Sequence, residues 1–137
     1  MYRVVVPVGD DVDRGRAQAE FVAGLPDAAE AVEATVTHAL HGDERDAPAA
    51  MRRPDRVEAV SRASDRLREA GVAVTVTEIS PPPAEGIVAL ADRVDADLVV
   101  MSSRKPGPAG EVLFGSVTES VLSNADRPVA VTGDSGE

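Results

Sequence analysis

Short apolar runs of strand length alternate along this chain with stretches of helical period. The runs are Val4–Val8, Ala34–Leu40, Val72–Val76, Leu98–Met101 and Val129–Val131. Continuous β-branched runs are typical of strands buried on both faces, and parallel strands need helical crossovers between them. Alternation of five strands with four helices therefore predicts a doubly wound α/β domain, a parallel sheet with helices on both faces.

The segments between the strands carry helix signals. Asp11 and Asp13 suit the first turn of a helix, because their carboxylates cap N–H groups and lie at the positive end of the dipole. Proline and glycine mark the ends of the helical segments. The predicted helices run from near Asp11 to Pro26, from Val57 to Gly71, from Pro83 through Val94, and from about Val112 to Asn124.

Length and composition argue for one domain over residues 1–137, with a loop at about 41–55 and a tail at 133–137. The absence of cysteine excludes a disulfide framework, thiolate metal sites and a cysteine nucleophile. No apolar run reaches the length of a signal peptide core or a membrane span. We therefore expect a cytoplasmic protein.

The chain carries a formal charge of −10, which disfavours binding to nucleic acid or to an anionic membrane. Of its 14 basic residues, Lys105 is the single lysine, whereas 24 residues are acidic. An acidic surface with almost no lysine stays hydrated in concentrated salt, where charge repulsion is screened. This pattern indicates a halophilic source; an acidic protein of a mesophile is the alternative.

Ligands of doubly wound sheets bind beyond the carboxyl ends of the strands, where the strand order reverses. The loops after the first and fourth strands are therefore the places to look for a site. The candidate residues of a nucleotide or anion crevice are Val8, Gly9, Asp10, Ser102, Arg104, Lys105, Gly115, Ser116 and Val117.

The stretch from Met101 to Leu122, with its glycine-rich loop and Gly115–Ser116 at a helix start, resembles the universal stress protein family, as do Pro128–Val131 and Val4–Val8. The resemblance covers the whole chain. It implies an adenine nucleotide alpha hydrolase-like fold with the sheet order 3-2-1-4-5. It also implies a homodimer that pairs through the last strand, at Val129, Ala130 and Val131.

Members that bind ATP carry Gly-x-x-Gly, nine residues and then Gly-Ser/Thr, whose glycines let backbone N–H groups approach phosphate. Counting back from Gly115 places the two glycines at Ser102 and Lys105, so both are replaced. The Gly-x-x-Gly at Gly107–Gly110 is out of register. The aspartate that these members carry after the first strand falls on Gly9, with Asp10 one position late.

The sequence thus favours a regulatory or protective module of the stress response, homodimeric, not an enzyme, without a cofactor and without ATP bound through the standard loop. The alternative is an adenine-nucleotide-binding member that holds ATP with Mg²⁺, with slow hydrolysis, through Arg104, Lys105, Gly115 and Ser116. The sequence does not indicate which protein partners such a module would bind. A flavodoxin-like electron carrier is the weakest hypothesis, because three aromatic residues leave little to enclose a flavin.

Several polar residues have plainer interpretations. Gly115 and Ser116 suit simple helix capping. Ser102, Ser103 and Ser116 lack a neighbouring base, because the histidines, His38 and His41, belong to the second strand and its loop. We interpret the histidines as ordinary polar residues rather than metal ligands, and the acidic cluster after the first strand as helix caps rather than a Mg²⁺ site. No catalytic residue and no metal site is predicted.

Overall fold

The computed structural model describes residues 1–39, 57–103 and 115–133. The predicted loop at 41–55 lies outside the described residues. So do Arg104, Lys105 and, apart from Gly133, the predicted tail.

Five parallel strands form the centre of the described structure. The strand order is β3-β2-β1-β4-β5, and every neighbouring pair is parallel. This confirms the doubly wound fold and the predicted order. The strands are β1 Tyr2–Val8, β2 Val32–His38, β3 Ala73–Val76, β4 Leu98–Ser102 and β5 Val129–Thr132.

Helices cover both faces of the sheet and bury two separate cores. Because side chains alternate along a strand, Val4 and Val6 of β1 belong to one core and Val5 to the other. The first core is closed by α1 and α3, and the second by α4 and α5. The helices are α1 Val12–Ala23, α2 Ala28–Ala31, α3 Glu58–Glu69, α4 Pro83–Arg93 and α5 Ser116–Asn124.

Two helix predictions are wrong. The alternation is not strict, because the short α2 precedes β2 and follows Asp27, whose φ of 54° turns the chain. The last helix begins at Ser116 and not near Val112, because Gly115 is extended, with φ −71° and ψ 164°. The other helices and strands agree with prediction to within a few residues at their ends.

Gly15 sets how closely α1 packs on the sheet. A Cβ at this position would lie 2.9 Å from Cγ1 of Val8 and 3.4 Å from the carbonyl oxygen of Ala59 in α3. Atoms of ordinary size do not fit at the first of these distances, so the glycine permits α1 to lie against both neighbours. The first turn of α1 is thereby held next to the end of β1.

Candidate functional site

The sheet opens between β1 and β4 at Pro7. The two strands are paired at Val4 with Leu98 and at Val5 with Val99, and their ladder goes no further. Arg3 accepts a hydrogen bond from the backbone N–H of Asp97, so odd-numbered residues of β1 direct their backbone groups toward β4. Pro7 has no N–H to donate in that direction. The sequence therefore interrupts the ladder at the point where the strand order reverses.

Gln18 of α1 satisfies the carbonyl groups that this opening leaves without ladder partners. Its Nε2 donates to the carbonyl oxygen of Pro7 at 2.6 Å and to that of Val100 at 2.9 Å. The side chain is buried, with 1% of its surface exposed. Because buried carbonyls without donors are costly, one amide stabilises both sides of the opening.

The opening leads into a crevice of about 370 Å³ above the carboxyl ends of the strands, within the range of small-molecule sites. One wall, the β1 wall, is formed by Pro7, Gly9, Asp10, Asp11 and Arg14. The opposite wall, the α5 wall, is formed by Met101, Ser102, Gly115, Ser116, Val117 and Thr118, and Ala39 lies at the end of β2.

The carboxylates of the β1 wall are engaged within the protein. Asp11 is the N-cap of α1, as predicted, and its Oδ1 accepts a hydrogen bond from the N–H of Arg14 at 3.1 Å. Oδ1 of Asp10 lies 2.9 Å from Nε2 of His38, whose side chain is 3% exposed. The loop that follows β1 is thus tied to the last residue of β2.

The α5 wall contains the start of α5, where no side chain among the described residues caps the helix. Gly115 is the N-cap residue, which agrees with the interpretation of Gly115–Ser116 as a helix cap, but a glycine has no side chain to accept a hydrogen bond from the first turn. Oγ1 of Thr118 donates instead to the carbonyl oxygen of Ser102 at 3.1 Å, which fixes the first turn of α5 on β4. N–H groups at a helix start and the helix dipole together favour an anion.

Most of the candidate residues that the structure describes come together in this crevice. Val8 does not: it is fully buried in the first core and does not line the crevice, because its side chain faces α1 where Gly15 makes room for it. Arg104 and Lys105 lie outside the described residues. The candidates that line the crevice are Gly9, Asp10, Ser102, Gly115, Ser116 and Val117.

Six residues that line the crevice were not among the sequence candidates: Pro7, Asp11, Arg14, Ala39, Met101 and Thr118. A usable signal existed for two of them. Thr118 follows the Gly115–Ser116 pair within the same first turn, and Arg14 lies three residues after the predicted cap Asp11. The first turn of a helix that follows a strand lies at the carboxyl edge of the sheet, so both positions face the predicted site.

No group of three or more histidine, aspartate or glutamate side chains within residues 1–39, 57–103 and 115–133 is arranged to hold a metal ion. In the same ranges, no helix is both long and apolar enough to cross a membrane.

Comparison with known proteins identifies the family. Residues 1–133 match the model of the universal stress protein family. The chain is 31% identical over 74 residues to the stress response protein NhaX of Bacillus subtilis, a match covering 54% of this chain and 45% of that protein.

Solved structures agree over nearly the whole chain. A universal stress protein from Archaeoglobus fulgidus is 29% identical, with a TM-score of 0.78, covering 96% of this chain and 98% of that one. A universal stress protein from the same organism in complex with dAMP is 25% identical, with a TM-score of 0.69 and the same coverage. Because the family model matches residues 1–133 and the fold agrees with that of a universal stress protein, this chain belongs to the universal stress protein family.

Proposed function

We propose that this protein is a homodimeric module of the stress response that binds an adenine nucleoside monophosphate in the crevice. The observation that carries the proposal is the convergence of Gly9, Asp10 and Ser102 around one small-molecule-sized opening with the start of α5, which no described side chain caps. The matching structure from Archaeoglobus fulgidus with dAMP supports this class of ligand.

The crevice has a place for each part of such a ligand. The start of α5 offers N–H groups to a phosphate, and Ser116 beside them is exposed. The ends of β1 and β2 offer the small residues Gly9 and Ala39, against which a flat base packs. One phosphate satisfies the helix start, and the base fills the rest of the opening.

A triphosphate gains little in this crevice. Ser102 occupies a position where the ATP-binding pattern has a glycine, and its side chain is half-buried in the α5 wall. A side chain there keeps phosphate oxygens away from the backbone. We therefore expect ATP to bind no more tightly than AMP, with or without Mg²⁺.

The test is calorimetric titration of AMP, ATP with and without Mg²⁺, and adenosine into the folded protein in concentrated KCl. We expect one site per chain and AMP affinity that exceeds adenosine affinity, since the phosphate adds charge-assisted hydrogen bonds. Absence of heat with every nucleotide, and of nucleotide released from freshly denatured protein, would refute the proposal. Tighter ATP binding that depends on Mg²⁺ would favour an ATP-binding member instead.

The homodimer part of the proposal concerns β5, one edge of the sheet. Val129, Ala130 and Val131 are each partly exposed there, and an open apolar edge invites pairing with a second copy. The backbone carbonyl groups of Pro128 and Thr132 accept hydrogen bonds from Val99 of β4 and from Ser103, the residue after β4. The backbone groups of even-numbered residues of β5 therefore point toward β4, and Val131 directs its N–H outward.

Val131→Pro tests this pairing without removing a β4–β5 hydrogen bond, because proline is tolerated where the N–H faces away from the sheet. We expect the native protein to run as a dimer in size-exclusion chromatography with light scattering, and the variant as a monomer. Val131→Thr, which keeps the outward N–H, is the control. A monomeric native protein would exclude the homodimer.

A further inference from the structure

Arg14 places a cation in the β1 wall. It is the third residue of α1, its side chain lines the crevice, and 31% of that side chain is exposed. The ATP-binding pattern of the loop after β4 does not include this position. Its presence is therefore a feature of this chain that the standard loop does not explain.

The guanidinium group is incompletely satisfied by the described residues. Its Nε is buried and makes no hydrogen bond within them. Oδ2 of Asp11 lies 3.8 Å away, which allows an ion pair but is too long for a hydrogen bond. A buried N–H group without an acceptor destabilises the protein, because it has given up its hydrogen bond to water. An oxygen atom of a ligand in the crevice would supply the acceptor that the Nε–H group of Arg14 lacks among the described residues.

The distribution of charge around the crevice also points to Arg14 as the group that would bind an anion. Asp10 and Asp11 both line the crevice, and they oppose an anion even though one faces His38 and the other caps α1. Of the described residues that line the crevice, Arg14 is the one that carries a permanent positive charge. The planar guanidinium group binds phosphate oxygens through paired hydrogen bonds, which an ammonium group does not reproduce.

We propose that Arg14 contacts the phosphate of the bound nucleotide and determines the preference for a phosphorylated over an unphosphorylated nucleoside. This inference rests on the proposed function, because it assigns a role within the same crevice. In this arrangement the side chain of Arg14, on the β1 wall, provides contacts to the phosphate that backbone N–H groups of the glycine loop provide in the ATP-binding pattern.

The experiment compares Arg14→Gln with Arg16→Gln in titrations of AMP and of adenosine. Arg16 lies two residues further along α1, is exposed and does not line the crevice, so both variants lose the same charge from the same helix. We expect Arg14→Gln to weaken AMP binding about tenfold to hundredfold, the value of a charge-assisted hydrogen bond, and to leave adenosine binding unchanged. Arg16→Gln should leave both unchanged, and Arg14→Lys should recover part of the loss.

The outcomes separate the two proposals. If native protein binds neither AMP nor adenosine, the proposed function fails and the role of Arg14 fails with it. If native protein binds AMP and Arg14→Gln binds it equally well, the role of Arg14 is refuted and the proposed function stands. Equal losses in the two glutamine variants, or an equal loss of AMP and adenosine binding in Arg14→Gln, would likewise refute a phosphate contact. Circular dichroism of each variant confirms that it is folded.

Discussion

The two walls of the crevice differ in how their polar groups are satisfied. In the β1 wall, Asp11 caps α1, Asp10 pairs with His38, and Gln18 beneath bonds two strand carbonyls. In the α5 wall, Gly115 is the N-cap of the helix, and no side chain of the described residues caps the helix start. Within the described residues, the polar groups of the β1 wall are mostly paired inside the protein, whereas the start of α5 keeps backbone N–H groups that a ligand could bind.

The difference shows where binding energy originates. A wall whose donors and acceptors are already paired contributes shape and position, because new bonds there replace old ones. A wall with unpaired donors contributes affinity. Arg14 is the exception in the β1 wall, since its Nε is buried without a hydrogen bond among the described residues.

Loss of the Gln18 bonds should have the largest effect on stability. Gln18→Met keeps the volume of the side chain and leaves the carbonyls of Pro7 and Val100 without their donor. We expect the free energy of unfolding to fall by about 2–4 kcal/mol, measured by urea denaturation in constant KCl. Arg16→Met, on the exposed face of the same helix, is the control and should change it by less than about 0.5 kcal/mol. A similar small change in Gln18→Met would show that the β1 wall does not depend on this amide.

A substitution that displaces α1 should have the second largest effect on stability. Gly15→Ala places a methyl group 2.9 Å from Val8, and we expect a destabilisation of about 1–3 kcal/mol from overpacking. Gly24→Ala at the end of the same helix is the matched control, because its Cβ meets nothing nearer than 3.4 Å and its φ is −85°. Thermal unfolding of both variants measures the difference, and equal melting temperatures would contradict the close packing.

Removal of the cap in the β1 wall should cost less. Asp11→Ala deprives the N–H of Arg14 of its acceptor, with an expected loss of about 1 kcal/mol. Asp11→Asn, which retains a capping oxygen, should recover most of this loss. If both variants unfold like the native protein in urea, the cap does not stabilise α1.

The smallest change in stability should come from adding a side-chain cap to the start of α5, as Asp11 already caps α1. Gly115→Asp supplies a capping carboxylate at a backbone conformation open to any residue, and should stabilise the fold by about 0.3 kcal/mol. It should also weaken AMP binding, because the carboxylate occupies the N–H groups and repels phosphate. Gly115→Asn, a cap without charge, separates occupation from repulsion. Undiminished AMP affinity in both variants would place the phosphate elsewhere.

The alternation of apolar runs with helical segments was sufficient to predict the fold, because a continuous apolar run such as Val4–Val8 indicates a strand that is buried on both faces. The number of helices and the positions of their ends were predicted less accurately. The four-residue α2 is too short for a periodicity to show, and the start of α5 depended on the backbone conformation of Gly115. Six of the candidate site residues line the crevice because topology alone brings the ends of parallel strands to one edge of the sheet.

The sequence by itself determined the sheet and the family and predicted at which edge of the sheet a site should lie, since hydrophobic periodicity and the order of the segments along the chain are local signals. Only the tertiary structure decided which polar groups there are already paired. That Gln18 bonds two carbonyls, that His38 faces Asp10 and that the Nε of Arg14 lacks a hydrogen bond within the described residues depend on atoms up to 82 residues apart. Hydrogen bonds are short and directional, so no spacing along the chain predicts them before the chain has folded.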